Sequence, residues 1–256
     1  MDINDIFDYL ENLRRETYVT AVVRDSEAND VVGYIGSKIP VEIFYSMGLF
    51  PIPVYGIDAE ILKFSHEKNL CSVIDSTLTY AETDKCPLIH SSKIIVLEDF
   101  CPIMTQKLRA LEKIYVYDFD DSKLISKLEN TYSRSFKQKS FIKIQLETIN
   151  NLLEQLKYHS DLTGLQVFIL EYYLKFLSLN EQINILNEVS QHVKFQEKLD
   201  FLPVKIQFGA GIYRQLDEIY NSKNYRLIEN FCDVNSNYDF VFENCPYSKG
   251  KKISYK

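Results

Sequence analysis

The sequence has 256 residues, of which 46% are hydrophobic and 25% charged, and a net charge of −7. Such a composition is typical of a folded globular protein and excludes a disordered chain, a collagen-like repeat and a disulfide-dense miniprotein. The acidic balance disfavours nucleic acid as a partner, because phosphate binding needs a basic face. No apolar run reaches the roughly 18 residues of a membrane span, and the acidic N-terminus does not resemble a secretory signal. We therefore expect a cytoplasmic protein with no nucleic-acid or membrane partner.

The first 120 residues alternate between helix and strand patterns. Their apolar spacing predicts a helix over residues 2–15 and a strand over residues 18–23. The later elements are predicted in this order: strand 31–35, helix 41–47 after Pro40 and ending at Gly48, strand 52–57, helix 58–68, strand 93–97, helix 103–112 and strand 114–119. The continuous apolar run over residues 93–97 is typical of a strand buried on both faces of a parallel sheet. This alternation predicts a doubly wound α/β domain over residues 1–120.

A helical segment is predicted over residues 121–200, followed by a short second α/β unit over residues 201–256. The second unit should contain strand 205–208, a turn at Gly209-Ala210-Gly211, helix 212–220 and strands 225–229 and 238–243, before a frayed basic tail. The predicted fold class is thus α/β, with two Rossmann-like units with parallel sheets joined by a helical segment. Gly209 and Gly211 lie between a strand and a helix, where they could cradle a phosphate; an ordinary tight turn is the simpler alternative.

Five cysteines are present, none in a Cys-x-x-Cys pair: Cys71, Cys86, Cys101, Cys232 and Cys245. Thiols of a cytoplasmic protein stay reduced, and structural zinc sites use close pairs, so a disulfide framework and a standard zinc site are both disfavoured. Widely spaced cysteines can still converge when each follows a different strand. His66 and His90 flank Cys71 and Cys86, which leaves a mixed Cys/His zinc site as an alternative.

Several ordered motifs between residue 31 and about residue 118 carry a family resemblance. The first motif consists of Gly33, Tyr34, Pro40, Glu42, Gly48, Pro51, Pro53 and Gly56. Leu70-Cys71-Ser72 with Ser76 follows, and then the buried strand that leads to Cys101. In these positions the chain resembles the 2-hydroxyacyl-CoA dehydratase family, in particular the D-component of 2-hydroxyglutaryl-CoA dehydratase.

The resemblance implies two Rossmann-like domains with a [4Fe-4S] cluster between them. Cys71 and Cys101 would be ligands, with a third thiolate from Cys232 or Cys245, because soft sulfur donors suit iron–sulfur clusters. It also implies a lyase of anaerobic metabolism that removes water from a 2-hydroxyacyl-CoA or related thioester by radical chemistry. The expected partners are an ATP-dependent activator protein and a homologous subunit, or a second copy, in a dimer. Glu42 is a candidate catalytic group in the first turn of its helix, and Gly209 and Gly211 are candidate contacts to a phosphate of CoA.

Three departures from the family pattern favour an alternative. Asp75 stands where the family usually has Arg, Pro102 stands where it usually has Asp, and the second domain is short. These differences suggest a cluster-free, catalytically degenerate relative that acts as a partner or assembly subunit.

Overall fold

The computed structural model describes most of the chain. The described residues are 2–56, 59–66, 70–159, 161–193, 202–205, 214–216, 225–229, 237–242, 245 and 249–253. Within these residues, no helix is both long and apolar enough to cross a membrane.

Four parallel strands form the central sheet: β1 (Val31–Ile35), β2 (Phe50–Pro53), β3 (Ile95–Glu98) and β4 (Ile114–Tyr117). Their order across the sheet is β2-β1-β3-β4. The connecting helices are α2 (Val41–Ser46) between β1 and β2, α3 (Ser72–Glu82) and α4 (Pro87–Ser91) between β2 and β3, and α5 (Pro102–Leu108) between β3 and β4. A short 3-10 helix, Ala59–Phe64, precedes α3. The parallel α/β arrangement predicted for the first 120 residues is confirmed.

The two faces of the sheet bury two separate hydrophobic cores. Val31 and Ile35 of β1 point into the first core, whereas Val32 and Tyr34 point into the second. This alternation follows from the two-residue period of a strand. The first core is covered by α1 (Ile3–Glu27), α3, α4 and α5, and the second by α2 and α6 (Asp121–Tyr132). Since helices cover both faces, the strands are apolar on both, as the sequence of residues 93–97 predicts.

Helix α1 is longer than the sequence pattern predicts, and the strand predicted over residues 18–23 is wrong. The segment continues as helix because its buried positions keep the helical spacing of four residues, at Leu13, Thr17 and Ala21. The β-branched residues that suggested a strand instead face outward, with Val19 69% exposed. The helix ends before Asn29, which adopts a left-handed φ of 52°.

Three further helices follow α6, in agreement with the predicted helical segment: α7 (Ser140–Lys157), α8 (Gly164–Tyr173) and α9 (Leu179–His192). A 3-10 turn, Leu174–Phe176, extends α8. Thr163 and Ser178 begin α8 and α9 with capping boxes, in which Gln166 and Glu181 bond back to the cap backbone. Reciprocal caps of this kind satisfy amide groups that the first helical turn leaves unpaired.

The C-terminal strands form two separate parallel pairs. β5 (Leu202–Lys205) pairs with β6 (Tyr225–Glu229), and β7 (Asn237–Phe242) pairs with β8 (Lys249–Ile253). The basic tail that was predicted to be frayed therefore contributes a strand, β8. The chain is a mixed α/β protein of mostly helical content with one four-stranded parallel sheet. A second Rossmann-like unit and the three predicted domain boundaries stay predictions.

Arg226 of β6 forms hydrogen bonds with the end of α7 and the turn that follows it. Its side chain is buried, and its guanidinium donates to the carbonyls of Lys157 at 2.8 Å and His159 at 2.6 Å, and also to that of Leu162. Carbonyls at a helix C-terminus have no partner within the helix. The guanidinium fork therefore supplies donors that α7 itself lacks.

Arg14 of α1 is a buried cation in the first core. Only 8% of the residue is exposed, and its Nε and one terminal nitrogen have no hydrogen-bond partner. Its guanidinium carbon lies 5.9 Å from the ring of Tyr18 and 5.7 Å from that of Tyr80. Each such cation–π contact contributes about 1 kcal/mol, whereas each unpaired buried donor costs about 1–3 kcal/mol.

We therefore expect Arg14→Met to raise the free energy of unfolding by about 1 kcal/mol, because methionine fills similar space without buried donors. Urea unfolding monitored by circular dichroism measures this difference. Arg14→Ala is the matched control and should destabilise the protein through the cavity that it leaves. A less stable Arg14→Met variant would mean that the guanidinium is better solvated than this environment indicates.

Candidate functional site

The carboxyl ends of β1 and β3 mark the point where the chain reverses its direction across the sheet. From β1 the chain moves to β2 on one side, and from β3 it moves to β4 on the other. In open parallel sheets, ligands bind in the crevice at such a switch point. The loops that leave β1 and β3 are therefore the first place to examine for a site.

Glu98, the last residue of β3, holds the loop that follows β1. It is only 2% exposed, and its Oε2 atom accepts hydrogen bonds from the backbone amides of Ser37 at 2.9 Å and Lys38 at 2.8 Å. Gly36 has a φ of +148°, and a Cβ atom there would lie 2.5 Å from Glu98 Cβ. The absence of a side chain at Gly36 thus allows the carboxylate to approach the loop.

Removing this carboxylate by Glu98→Ala should lower the free energy of unfolding by about 3 kcal/mol, because two amides lose a charged acceptor. Glu98→Gln keeps an acceptor oxygen in the same place and should cost only about 1 kcal/mol. Chemical denaturation of the three proteins checks the ranking. Equal losses for both variants would show that the side chain acts through its charge alone.

Cys71 and Cys101 occupy equivalent places at the starts of two helices. Cys71 is the residue before α3, and Cys101 is the residue before α5, three positions after β3 ends. Both pack at the first core, as does Cys245. Pro102, which departs from the family pattern, is the first residue of α5, where the missing amide proton of proline costs nothing.

Cys71, Cys101 and Cys245 are near enough to interact electrostatically. Burial is the main cause that raises the pKa of the Cys71 thiol, to about 12, and the thiols of Cys101 and Cys245 add to the increase. The backbone amides of Ile74 and Val73, at the start of α3, oppose it. A Cys71 thiolate is therefore disfavoured until it acquires a strong positive partner.

The rest of the predicted site falls outside the described part of the chain. Cys232 lies outside the described residues, as do Gly209 and Gly211. In the part of the chain that the structure describes, no group of three or more His, Cys, Asp or Glu side chains is arranged to hold a single metal ion. His90 instead pairs with Asp84, with Nε2 and Oδ1 2.9 Å apart.

The middle of α3 is fixed to the loop that follows β2. The amide of Gly56 donates to Thr77 Oγ1 at 2.7 Å, and a Cβ atom at Gly56 would lie 2.3 Å from Ser76 Oγ. Asp75, the second departure from the family pattern, accepts a 2.5 Å hydrogen bond from Ser65. The helix that begins after Cys71 is thus held at the carboxyl edge of the sheet.

A cavity of about 600 Å³ opens beside the loop that follows β1. Its walls come from that loop, the first turn of α2, and α7, α8 and α9. Tyr34, Ile149, Leu174 and Leu179 contribute buried, mainly apolar surface. Glu42, the predicted catalytic residue, is exposed and lines this cavity, whereas none of the four described cysteines does. The structure therefore places Glu42 and these four cysteines in two different surroundings.

Charged residues that the sequence analysis missed line the same cavity. Glu171 is half-buried, and burial raises the pKa of its carboxyl group. The positive charges of Lys157, 3.8 Å away, and of Lys175 oppose this increase. Solvent in the cavity reaches Lys175, yet the surrounding protein lowers the pKa of its ammonium. Their four-residue spacing was visible in the sequence, but only the fold shows that both line the cavity.

Comparison with known proteins shows a distant similarity to a curated protein. The chain is 26% identical over 103 residues to a protein of Escherichia coli (strain K12) named "Putative dehydratase subunit YjiM". The match covers 39% of this chain and 27% of that protein, so the chain matches well under a third of its relative's length. No family model matches the chain. The chain is thus distantly similar to a dehydratase subunit.

Proposed function

We propose that this protein is a dehydratase subunit of the 2-hydroxyacyl-CoA type that holds a [4Fe-4S] cluster through Cys71, Cys101 and Cys245. The observation that carries the proposal is the placement of Cys71 and Cys101 directly before α3 and α5, where both pack at the first core together with Cys245. The distant similarity to a dehydratase subunit supports the same class of reaction.

The donor set fits such a cluster in chemistry, because thiolates are the usual ligands of iron–sulfur clusters. The three sulfurs around one cubane would be separated by about 6–7 Å, judged from thiolate–metal bond lengths. When bound, a cluster with three protein ligands supplies an open iron that polarises an oxygen of the substrate and accepts one electron.

The residues of the chain would bind and shield this group. Cys101 is buried and Cys71 half-buried at the first core, so they would hold the cluster away from bulk water. Release of the Cys71 proton would accompany iron binding, because the pKa of about 12 keeps this thiol protonated in the free protein. A thioester of CoA would be the substrate. An ATP-dependent activator and a homologous subunit, or a second copy of the chain, would be the partners.

Anaerobic purification followed by reconstitution with iron and sulfide tests the proposal. We expect a brown protein with broad absorption near roughly 400 nm and about four iron atoms per chain. Electron paramagnetic resonance of the reduced protein should show one cluster. Stoichiometric zinc without iron would instead support a Cys/His zinc protein.

A colourless protein that lacks iron and acid-labile sulfide after reconstitution would overturn the proposal. It would favour the cluster-free partner or assembly subunit, a reading that Asp75 and Pro102 first suggested. Co-purification with a homologous dehydratase subunit would then be the next measurement.

A further inference from the structure

The cavity beside α2 has an apolar interior and a charged rim. Its volume of about 600 Å³ falls in the usual range of small-molecule sites. Leu146, Leu153 and Leu174 line it, together with the buried ring of Tyr34. Burial raises the pKa of Tyr34, so its hydroxyl stays protonated and can donate a hydrogen bond. Such walls fit an aliphatic group of moderate size.

Two of the charged residues on the cavity wall have no ion-pair partner among the described residues, namely Glu42 and Lys175. The other charges are already balanced. Lys143 lies 3.9 Å from Glu147, and Glu171 lies 3.8 Å from Lys157. The cavity therefore offers one carboxylate and one ammonium that form no direct ion pair among the described residues, although Glu171 still acts on Lys175 electrostatically.

We infer that this cavity binds a free α-amino acid with an aliphatic side chain. The ammonium group of the ligand would pair with Glu42 and its carboxylate with Lys175, while the side chain would pack against Leu146, Leu153 and Leu174. A zwitterion matches both of these charges at once, whereas a simple carboxylic acid leaves Glu42 unpaired. Partly desolvated ion pairs at a cavity are stronger than pairs on an open surface.

This site is separate from the three thiols, and its test does not depend on iron. Isothermal titration of the full-length, iron-free protein with L-leucine should give saturable binding with one site per chain. Leucinamide lacks the carboxylate and 4-methylpentanoate lacks the ammonium group. Each should bind about tenfold more weakly than L-leucine, through the loss of one ion pair.

Two variants test which side chain pairs with each charged group of the ligand. Glu42→Gln should weaken L-leucine about tenfold and leave 4-methylpentanoate unchanged, and Lys175→Gln should weaken L-leucine and leave leucinamide unchanged. Lys143→Gln is the matched control, because this rim lysine already has Glu147 as a partner. Circular dichroism confirms that each variant is folded.

Either of two results would overturn the inference. One is the absence of saturable L-leucine binding at concentrations up to about 10 mM, which corresponds to less than about 3 kcal/mol of binding free energy. The other is an equal loss of affinity in Lys143→Gln and Lys175→Gln, which would show a general effect of surface charge. In either case the iron content of the reconstituted protein would still decide the proposed function on its own.

Discussion

Replacing Cys71 or Cys101 by serine is expected to abolish cluster binding, from about four iron atoms per reconstituted chain to less than one. Serine cannot supply a soft thiolate, and two remaining ligands do not hold a cubane stably. The absorbance near roughly 400 nm and the iron and sulfide content should fall together in each variant. Both residues begin helices at the same edge of the sheet, so one loss should be as complete as the other.

Cys86→Ala is the matched control for these variants. Cys86 is fully buried and also precedes a helix, α4, but it is absent from the groups that shift the Cys71 pKa. The Cys86→Ala variant should bind as much iron as the unchanged protein, with a small decrease in the free energy of unfolding. Unchanged iron content in Cys71→Ser would contradict the ligand assignment. Separate Cys245→Ser and Cys232→Ser variants decide which of the two supplies the third thiolate.

Gly36→Ala should lower the free energy of unfolding by about 3 kcal/mol. The new Cβ would lie 2.5 Å from Glu98 Cβ and 2.7 Å from Glu98 Oε2, at a φ of +148°. Overpacking of this kind costs about 1–3 kcal/mol, and the unfavourable backbone conformation adds about 1 kcal/mol. For a chain of this size the expected loss in melting temperature is roughly 6–12 °C.

Gly48→Ala separates the two contributions. Gly48 also has a positive φ, +70°, but its nearest side-chain atom would be 3.7 Å from the new Cβ, at Arg134. It should therefore lose only the conformational part, about 1 kcal/mol. Differential scanning calorimetry of both variants checks the difference. Equal losses at the two glycines would show that the contact with Glu98 relaxes without cost.

The strands of the sheet, with α2 and α5, could be predicted from the sequence because their patterns are local, whereas α3 and α4 were not predicted. The apolar runs at residues 31–35 and 93–97 define β1 and β3 to within two residues. The spacing at residues 142–156 likewise predicts α7. The error at residues 18–23 has a tertiary cause, since Thr17 and Ala21 are buried by the packing of α1 against the first core.

The site was less predictable, because its members come from distant parts of the chain. Cys71 and Cys101 could be singled out by the resemblance, and Cys245 was one of two candidates for a third thiol. Lys175 gave no such signal, because a lysine in an amphipathic helix usually marks the solvated face. Only the fold places Lys175, in the 3-10 extension of α8, in the wall of the cavity.

Glu98 was also missed, for a different reason. Acidic residues at the end of an apolar run, here Glu98 and Asp99, are most simply the point where a strand reaches solvent. Its partners, the amides of Ser37 and Lys38, are about 60 residues earlier in the chain. They are backbone groups, so the residue types at these positions do not reveal them.

The hydrogen bonds of Arg226 affect the order in which the chain folds during its synthesis. The carbonyls of Lys157, His159 and Leu162 receive this side chain from 64 to 69 residues further along the chain. A nascent chain that has just completed the central sheet and α7 still exposes those carbonyls to water. The turn after α7 therefore acquires its hydrogen-bond donors only when β6 emerges from the ribosome. The formation of these hydrogen bonds is thus among the last events of folding.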